Sequence, residues 1–125
     1  FFSGIAFKGK PETDDIRDSA AIKIFKPLQE RFDTAIFSLH DPLVKNFLGN
    51  PVEKNLENSI RNASLILFLT NHPQLTNLDA ASILNLIQKP CLIIDAWHNI
   101  KNPEKIYSEK NVQYFQIGEP QPKRD

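Results

Sequence analysis

Residues 64–70 read Ser-Leu-Ile-Leu-Phe-Leu-Thr, a nearly continuous apolar run with the length of a strand. A strand without polar alternation is buried on both faces, as in a parallel sheet that helices cover on both sides. Candidate strands of comparable length occur at residues 1–7, 34–39, 91–94 and 113–117. The sequence therefore predicts a mainly parallel sheet of about five strands.

The first helical pattern follows residues 8–18, which form a charged loop. Asp18 or Ser19 can cap this helix. Its buried stripe consists of apolar residues at helical spacing, namely Ala21, Ile24, Phe25, Leu28 and Phe32. Pro27 removes a backbone donor and crowds the preceding turn, so we expect a kink or an early end of the helix near Lys26.

Two further helices are predicted between the strands. Asn50 as the cap, Pro51 at the first helical position and Glu53 at the third predict a helix that ends near Asn62. Residues 79–88 predict the next helix. Because strands and helices alternate along the chain, we expect an α/β fold with helices on both faces of the sheet.

The composition excludes several classes of protein. Fifteen lysines and arginines balance fifteen aspartates and glutamates, so no net positive field favours a nucleic acid or an anionic membrane surface. No apolar run approaches the roughly 20 residues that span a bilayer, and a single cysteine cannot form an internal disulfide. We expect one cytoplasmic domain over residues 1–118 with a polar tail at 119–125. The absence of methionine suggests a fragment of a larger protein.

The charged loop after the first strand is the main candidate for ligand binding, because ligands of such folds bind at the carboxyl ends of the strands. Lys8 can act as a movable point charge for a phosphate or a sugar oxygen, and Arg17 offers a planar fork suited to a phosphate. Asp14 and Asp15 can position these cations or cap the helix. Charge clusters are often only solvated loops, and the residues alone leave both interpretations open.

The pattern GIAFKxxxxTDDIRxS, at residues 4–19, resembles the opening of the UDP-binding C-terminal domain of UDP-glucose, GDP-mannose and UDP-N-acetylhexosamine dehydrogenases. His40-Asp41-Pro42 resembles the turn after the second strand of that domain. Residues 63–70 and 90–95 resemble its central strand and the strand before its DGRN-type loop. The similarity covers residues 2–118.

This resemblance implies a Rossmann-like three-layer αβα sandwich that follows an NAD-binding domain and a helical dimerisation domain. It implies an NAD-dependent UDP-sugar 6-dehydrogenase, which oxidises a sugar alcohol to a uronic acid for polysaccharide biosynthesis through a cysteine in another domain. We therefore expect no catalytic residue in this chain and no activity of the chain alone. The implied partners are a UDP-sugar, the other two domains and a second subunit, in a homodimer or larger assembly.

The resemblance also assigns residues. Phe7 and Lys8 are similar to the residues that contact the nucleotide sugar, and Arg17 is similar to the arginine that reaches NAD. The family has a substrate-binding arginine after Asp-Gly, where this chain has Trp97 within Asp95-Ala96-Trp97-His98-Asn99. Trp97 can stack on a sugar or base and His98 can donate to a hydroxyl, which hints at an N-acetylated sugar. Trp97 can equally pack at a domain interface.

Other residues with chemical potential favour structural roles. Cys91 follows a proline and opens an apolar strand without an adjacent base, so we expect a buried, inert thiol. The three histidines, His40, His72 and His98, lie at separate strand ends without a spacing typical of metal ligands, so no metal site is predicted.

Two alternative functions remain at this stage. The first is a non-enzymatic module that assembles subunits and leaves the ligand to its neighbours. The second is a flavodoxin-like receiver domain, for which Asp14 and Asp15 fit superficially. A receiver places its acceptor aspartate at the end of the third strand, where this chain has Thr70-Asn71, and this disfavours the second alternative.

Overall fold

The computed structural model describes residues 2–3 and 20–117 of the chain. The strands in this part are β1 (Phe2–Ser3), β2 (Leu39–His40), β3 (Asn46–Phe47), β4 (Asn50–Pro51), β5 (Leu65–Phe68), β6 (Leu78–Asp79), β7 (Cys91–Asp95), β8 (Ile100–Lys101) and β9 (Val112–Gln116). The helices are α1 (Ala20–Arg31), α2 (Leu56–Ile60), α3 (Ala80–Leu86) and α4 (Glu104–Tyr107), with one turn of 3-10 helix at Pro73–Leu75.

The main sheet of the described part has five strands in the order β2-β1-β5-β7-β9. Every neighbouring pair in this sheet is parallel. Counted along the chain, the order is 2-1-3-4-5, which is typical of doubly wound α/β folds. The predicted parallel sheet of about five strands is confirmed. Outside it, β3 and β4 form a hairpin, and β6 and β8 form a short parallel pair.

Helices cover the main sheet on both faces. Successive side chains of β5 belong to opposite faces of the sheet. Leu67 packs with α1 residues such as Phe25. Ile66 packs with α3 residues such as Ile83. Ile60 of α2 and Ile106 of α4 belong to the same cluster as Ile66. The predicted three-layer sandwich is therefore confirmed, with α1 on one face and α2, α3 and α4 on the other.

The strand predicted at residues 34–39 is largely absent. Only Leu39 belongs to β2, and Ile36 is 96% exposed. Among the described residues, the pairing of β2 with β1 begins at Leu39, opposite Phe2. The prediction was wrong for residues 34–38 because strand propensity alone does not decide where a segment pairs.

Of the two effects predicted for Pro27, a kink or an early end of the helix, the early end is wrong. α1 runs to Arg31 with Pro27 inside it. Burial of its apolar stripe offsets the proline, because Phe25 is buried and packs edge-on against Phe37 and Phe47 with ring centroids 5.5 Å apart. Phe32, predicted on the buried stripe, is 51% exposed.

The second helix begins later than predicted. Asn50 lies in β4, where its side-chain amide donates to the carbonyls of Phe47 and Leu48 in the hairpin. The actual cap is Asn55, whose side-chain oxygen accepts from the Asn58 amide at 2.9 Å. Residue type alone cannot decide which asparagine caps a helix when both are followed by suitable residues.

The third helix and the last two strands agree with the prediction. α3 is capped by Asp79, which accepts from the Ser82 amide, and β7 and β9 occupy the apolar segments predicted for them. The sequence did not predict α4, which spans four residues. In the described ranges no helix has the length and apolar character needed to cross a bilayer.

Candidate functional site

The carboxyl edge of the main sheet is the candidate site. His40, Ser3, Phe68, Asp95 and Gln116 lie side by side in register across the five strands. Because the chain order reverses between β1 and β5, the crevice beyond the carboxyl ends of these two strands is where a doubly wound sheet binds its ligands. We call this row and the turns that follow it the carboxyl edge.

Asp95 organises the turn after β7. Its carboxylate accepts from the amides of Trp97, Asn99 and Ile100 at 3.2, 2.7 and 3.2 Å and from the hydroxyl of Tyr114 at 2.6 Å. Asp95 is completely buried. A buried carboxylate is tolerated when several donors satisfy it, and here the donors are the backbone of the turn itself.

Tyr114 closes this arrangement from β9. Burial and the hydrogen bond to Asp95 raise the pKa of the Tyr114 hydroxyl far above its ordinary value. The hydroxyl therefore stays protonated and donates to the carboxylate. The sequence analysis did not identify Asp95 and Tyr114 as a pair. A carboxylate at the end of an apolar strand, with a tyrosine in the following strand, is the signal that could have found them.

Asn99 ties the turn to the end of β5. Its side-chain amide donates to the Thr70 carbonyl at 2.9 Å, and its own carbonyl accepts from the Leu78 amide. Within the described residues, Thr70 Oγ1 and Asn99 Oδ1 are buried without a hydrogen-bond partner. The turn after β7 is therefore tied both to the segment that follows β5 and to the start of β6.

Trp97 reaches from the turn after β7 to the segment that follows β5. Its indole nitrogen donates to the carbonyl of Leu69, the residue after β5, at 3.1 Å. More than half of the side chain, 54%, is exposed. An aromatic side chain that is anchored through its nitrogen and open to solvent can offer its surface to a planar or saccharide ligand.

His98 is the residue next to Trp97, and it lies on the β9 side of the turn. Its ring nitrogen Nε2 is 3.3 Å from the Ile117 carbonyl. The backbone of His98 adopts a left-handed conformation with φ of 56°, which a non-glycine residue adopts at a cost. The bonds that Asp95 makes to the residues on both sides hold this conformation.

The opposite end of the carboxyl edge contains His40 and Asp41, both buried. Asp41 accepts from the amides of Leu43 and Val44, which confirms the predicted turn. The His40 ring nitrogen Nε2 is 3.1 Å from the Lys54 carbonyl. Burial lowers the pKa of His40 below its ordinary value of 6.5, so the neutral ring is the form that this environment favours.

Several predicted site residues lie outside the described residues. These are Phe7, Lys8, Asp14, Asp15 and Arg17. The structure describes β1 up to Ser3, which lies in the same row as Asp95. The carboxyl end of β1 and the turn that contains Trp97 therefore lie at the same edge of the sheet, two strands apart.

Cys91 is buried at the amino end of β7, as predicted. Burial raises the pKa of its thiol to about 11, which makes it a poor nucleophile. No group of three or more histidine, cysteine, aspartate or glutamate side chains among the described residues can hold a metal ion. The four glycines of the sequence, Gly4, Gly9, Gly49 and Gly118, do not form a dinucleotide-binding GxGxxG pattern.

Residues 2–102 match the model of the UDP-glucose/GDP-mannose dehydrogenase family, UDP binding domain. Among solved structures, the chain is similar to the UDP-N-acetyl-mannosamine dehydrogenase Cap5O from Staphylococcus aureus in a native form (TM-score 0.68, 27% identity) and a derivative form (TM-score 0.67, 28% identity). It is also similar to a UDP-D-ManNAc dehydrogenase from Pyrococcus horikoshii (TM-score 0.65, 28% identity).

These matches cover 94% of this chain, but 26%, 25% and 24% of the matched chains, respectively. The chain thus spans about a quarter of the length of the solved structures that it resembles. No curated protein matches the chain significantly.

Proposed function

This chain belongs to the UDP-glucose/GDP-mannose dehydrogenase family, and we propose that it is the nucleotide-sugar-binding domain of an NAD-dependent UDP-sugar 6-dehydrogenase. In this role, residues 1–118 form the domain that holds the UDP-sugar while the remainder of the protein supplies the catalytic cysteine and most of the NAD site. The chain alone is then inactive. The proposed location is the cytoplasm.

The order of the parallel strands is the observation that carries this proposal. It aligns Ser3 with Phe68 and Asp95 at one edge, so the described end of β1 lies at the same edge as the turn that contains Trp97, two strands away. A diphosphate needs cations or amide donors at such an edge. Lys8, five residues after Ser3 in the sequence, is the cation that we assign to this task.

The roles of the other residues follow from this assignment. Phe7 and Lys8 contact the nucleotide sugar, and Trp97 stacks on its base or sugar. His98 contacts a sugar hydroxyl through its ring nitrogen Nδ1, because Nε2 faces the Ile117 carbonyl at 3.3 Å. Asp14 and Asp15 hold the loop that presents Lys8, while Asp95 holds the turn that presents Trp97.

NAD, when bound, accepts the two hydrides that the oxidation of a primary alcohol to a carboxylate releases. This chain lacks a glycine-rich loop for the NAD diphosphate, which fits a domain that contributes only Arg17 to the cofactor. A guanidinium pairs with phosphate through two parallel hydrogen bonds. Arg17 therefore links the nucleotide-sugar domain to the domain that holds NAD.

An N-acetylated hexosamine is the sugar that we propose. The similar solved structures are named as UDP-N-acetyl-mannosamine dehydrogenases, and Trp97 stands where the family's substrate-binding arginine is expected. A neutral, flat side chain suits an acetamido group better than a charged fork does. A homodimer or larger assembly of the whole protein is part of the same proposal.

The test uses the full-length protein with Lys8→Ala and Trp97→Ala. Loss of a charge-assisted hydrogen bond costs about 2 kcal/mol, so Lys8→Ala should weaken UDP-sugar binding roughly 30-fold in calorimetry. Trp97→Ala should weaken it about tenfold and change the preference between UDP-N-acetylhexosamine and UDP-glucose. Lys110→Ala is the matched control, since Lys110 is exposed next to the amino end of β9 and should leave affinity unchanged.

The same variants separate the proposed function from subunit assembly. If Lys8→Ala and Arg17→Ala change the oligomeric state but leave turnover and UDP-sugar affinity intact, the chain is an assembly module. If they weaken binding while the oligomer persists, the proposed function stands.

A further inference from the structure

Two side chains of the turn after β7 hold the segment that follows β5. The indole nitrogen of Trp97 donates to the Leu69 carbonyl at 3.1 Å, and the side-chain amide of Asn99 donates to the Thr70 carbonyl at 2.9 Å. The two carbonyls belong to adjacent residues, so one short stretch of backbone receives both donors. We call these two hydrogen bonds the side-chain clamp.

The two bonds of the side-chain clamp differ in their exposure to water. Asn99 is completely buried and Thr70 nearly so, whereas 54% of the Trp97 side chain is exposed. A hydrogen bond is stronger in a buried environment of low dielectric constant than at the surface, where water competes for both partners. The Asn99 bond is therefore the more persistent of the two, and we expect the Trp97 bond to depend on it.

The local backbone explains this dependence. The pairing of β5 with β7 ends at Phe68, whose carbonyl accepts from the Ala96 amide at 3.1 Å. Residues 69–72, which follow, belong to no helix or strand. The Leu69 carbonyl is part of the peptide bond that joins Leu69 to Thr70, so a shift of Thr70 also moves the acceptor of the indole.

The side chain of Asn99 has a role that is separate from that of its backbone. Its backbone amide donates to Asp95 Oδ2 at 2.7 Å and its carbonyl accepts from the Leu78 amide at 2.8 Å, and neither bond requires an asparagine. The side chain can donate to Thr70 in one orientation only, because the reversed amide would place Oδ1 against the carbonyl oxygen. In the observed orientation Oδ1 is buried without a partner among the described residues. What the side chain contributes in this part of the chain is therefore its bond to Thr70.

We propose that Asn99 is a positioning residue for Trp97, because its bond to the Thr70 carbonyl keeps the Leu69 carbonyl where the indole nitrogen can donate to it. Asn99 thereby fixes the orientation in which the exposed surface of Trp97 meets a ligand. Through Trp97, it contributes to the preference for an N-acetylated sugar over a plain hexose. This last step rests on the proposed function, whereas the positioning of Trp97 does not.

The first experiment measures the side-chain clamp directly in the 125-residue chain. Trp97 is its only tryptophan, so the chain has a single indole N–H signal in NMR spectra. Asn99→Asp replaces the donor by a carboxylate that repels the Thr70 carbonyl. At pH 7 we expect the indole N–H to exchange with water at least about tenfold faster than in the wild type. Asn102→Asp makes the same change at an exposed position nearby and should leave the exchange rate unchanged.

A lower pH should reverse the effect of Asn99→Asp. The new carboxyl group is buried beside a carbonyl and close to the Asp95 carboxylate, so its pKa is raised, and once protonated it can donate to the Thr70 carbonyl again. Between pH 7 and pH 5 the exchange rate should therefore return towards that of the wild type at the same pH. The other titratable groups of this region, Asp95, His98 and Tyr114, are present in both proteins. A general loss of stability would not be reversed by acid.

Asn99→Ser provides a second variant in case Asn99→Asp does not fold. Serine adds no charge and is too short to reach the Thr70 carbonyl, so it should also accelerate indole exchange. In the full-length protein we expect it to weaken binding of a UDP-N-acetylhexosamine about fivefold and to shift the preference towards UDP-glucose, as Trp97→Ala does. Because Asn99 acts through Trp97, the double variant should bind no more weakly than Trp97→Ala alone.

Two results would overturn the inference. The first is unchanged indole exchange in the Asn99 variants. The second is full additivity of Asn99→Ser and Trp97→Ala in binding, because Asn99 would then act independently of Trp97. If Lys8→Ala and Trp97→Ala themselves leave UDP-sugar affinity unchanged, the proposed function fails, and indole exchange still decides whether Asn99 positions Trp97.

Discussion

The two edges of the main sheet differ in how their backbone is satisfied. At the carboxyl edge, the side chain of Asp95 collects the amides of the turn after β7, and Tyr114 completes the cluster. At the amino edge, residues 34–38 form no assigned strand, and Ile36 is almost fully exposed. The backbone of the turn at the carboxyl edge is held by a buried side chain, whereas the amino edge carries an exposed segment at residues 34–36.

This difference indicates where the fold can tolerate change. A turn that a buried carboxylate organises is rigid, because loss of the carboxylate leaves several buried donors without an acceptor. An exposed residue outside any strand, such as Ile36, has few contacts to lose. A rigid turn is what a ligand site requires if Trp97 is to be held in place.

Asp95→Ala should have the largest effect. Four donors lose their acceptor and three of them belong to the backbone of the turn, so the free energy of unfolding should fall by about 4 kcal/mol. Urea denaturation measures this change. A loss below about 1 kcal/mol would mean that water can take the place of the Asp95 carboxylate as hydrogen-bond acceptor. The turn at the carboxyl edge would then not depend on this buried side chain.

Tyr114→Phe removes one donor and keeps the ring, so it should cost about 2 kcal/mol at pH 7. The raised pKa of Tyr114 adds a pH dependence, because the fold favours the neutral hydroxyl. This stability is fully present below the ordinary pKa of 10 and is lost as the pH rises above it. Urea midpoints from pH 8 to 11 should fall more steeply for the wild type than for Tyr114→Phe. Parallel profiles would contradict the role of this hydroxyl.

His40→Gln probes the other end of the carboxyl edge. Since burial lowers the pKa of His40, folding favours the neutral ring. Its contribution is fully present above pH 6.5 and is lost as the pH falls through the lower folded pKa. Between pH 7 and pH 5 we expect the Tm of the wild type to fall by a few degrees more than that of His40→Gln. Identical pH profiles of Tm for the two proteins would show that His40 does not contribute to the pH dependence of stability.

Ile36→Lys should have the smallest effect on the chain as given. Its side chain is 96% exposed, so the change in the free energy of unfolding should lie within about 0.5 kcal/mol. Leu67→Lys, at a buried position of β5, is the contrasting substitution and should unfold the protein. A large loss for Ile36→Lys in thermal unfolding would show that the amino edge is already packed.

Local patterns predicted most of the sheet and the alternation of its layers. Residues 64–70 and 91–94 are so uniformly apolar that only burial on both faces accommodates them, and β5 and β7 form there. The boundaries of the helices were harder to predict. Asn50 and Asn55 can both cap a helix. Asn55 is the cap in the structure, because Asn50 belongs to the hairpin that β3 and β4 form.

The candidate site likewise contains residues that the sequence could identify and one whose role it could not. Trp97 and His98 could be singled out because they follow an apolar strand and depart from a family motif. The function of Asp95 could not be assigned, since a carboxylate at a strand end looks the same whether it is solvated or buried. Its four donors become neighbours only when β9 pairs with β7 and brings Tyr114 alongside.

The sequence by itself determined the class of fold, because apolar runs of strand length separated by helical patterns have few other ways to bury their surface. The tertiary structure alone decided which strands pair, and with them the bonds that Asp95 makes and the exposed state of residues 34–36. The physical reason is that hydrogen bonds between strands join residues far apart in the chain. Local propensity reflects only the conformational preference that residues adjacent in the sequence impose on a segment.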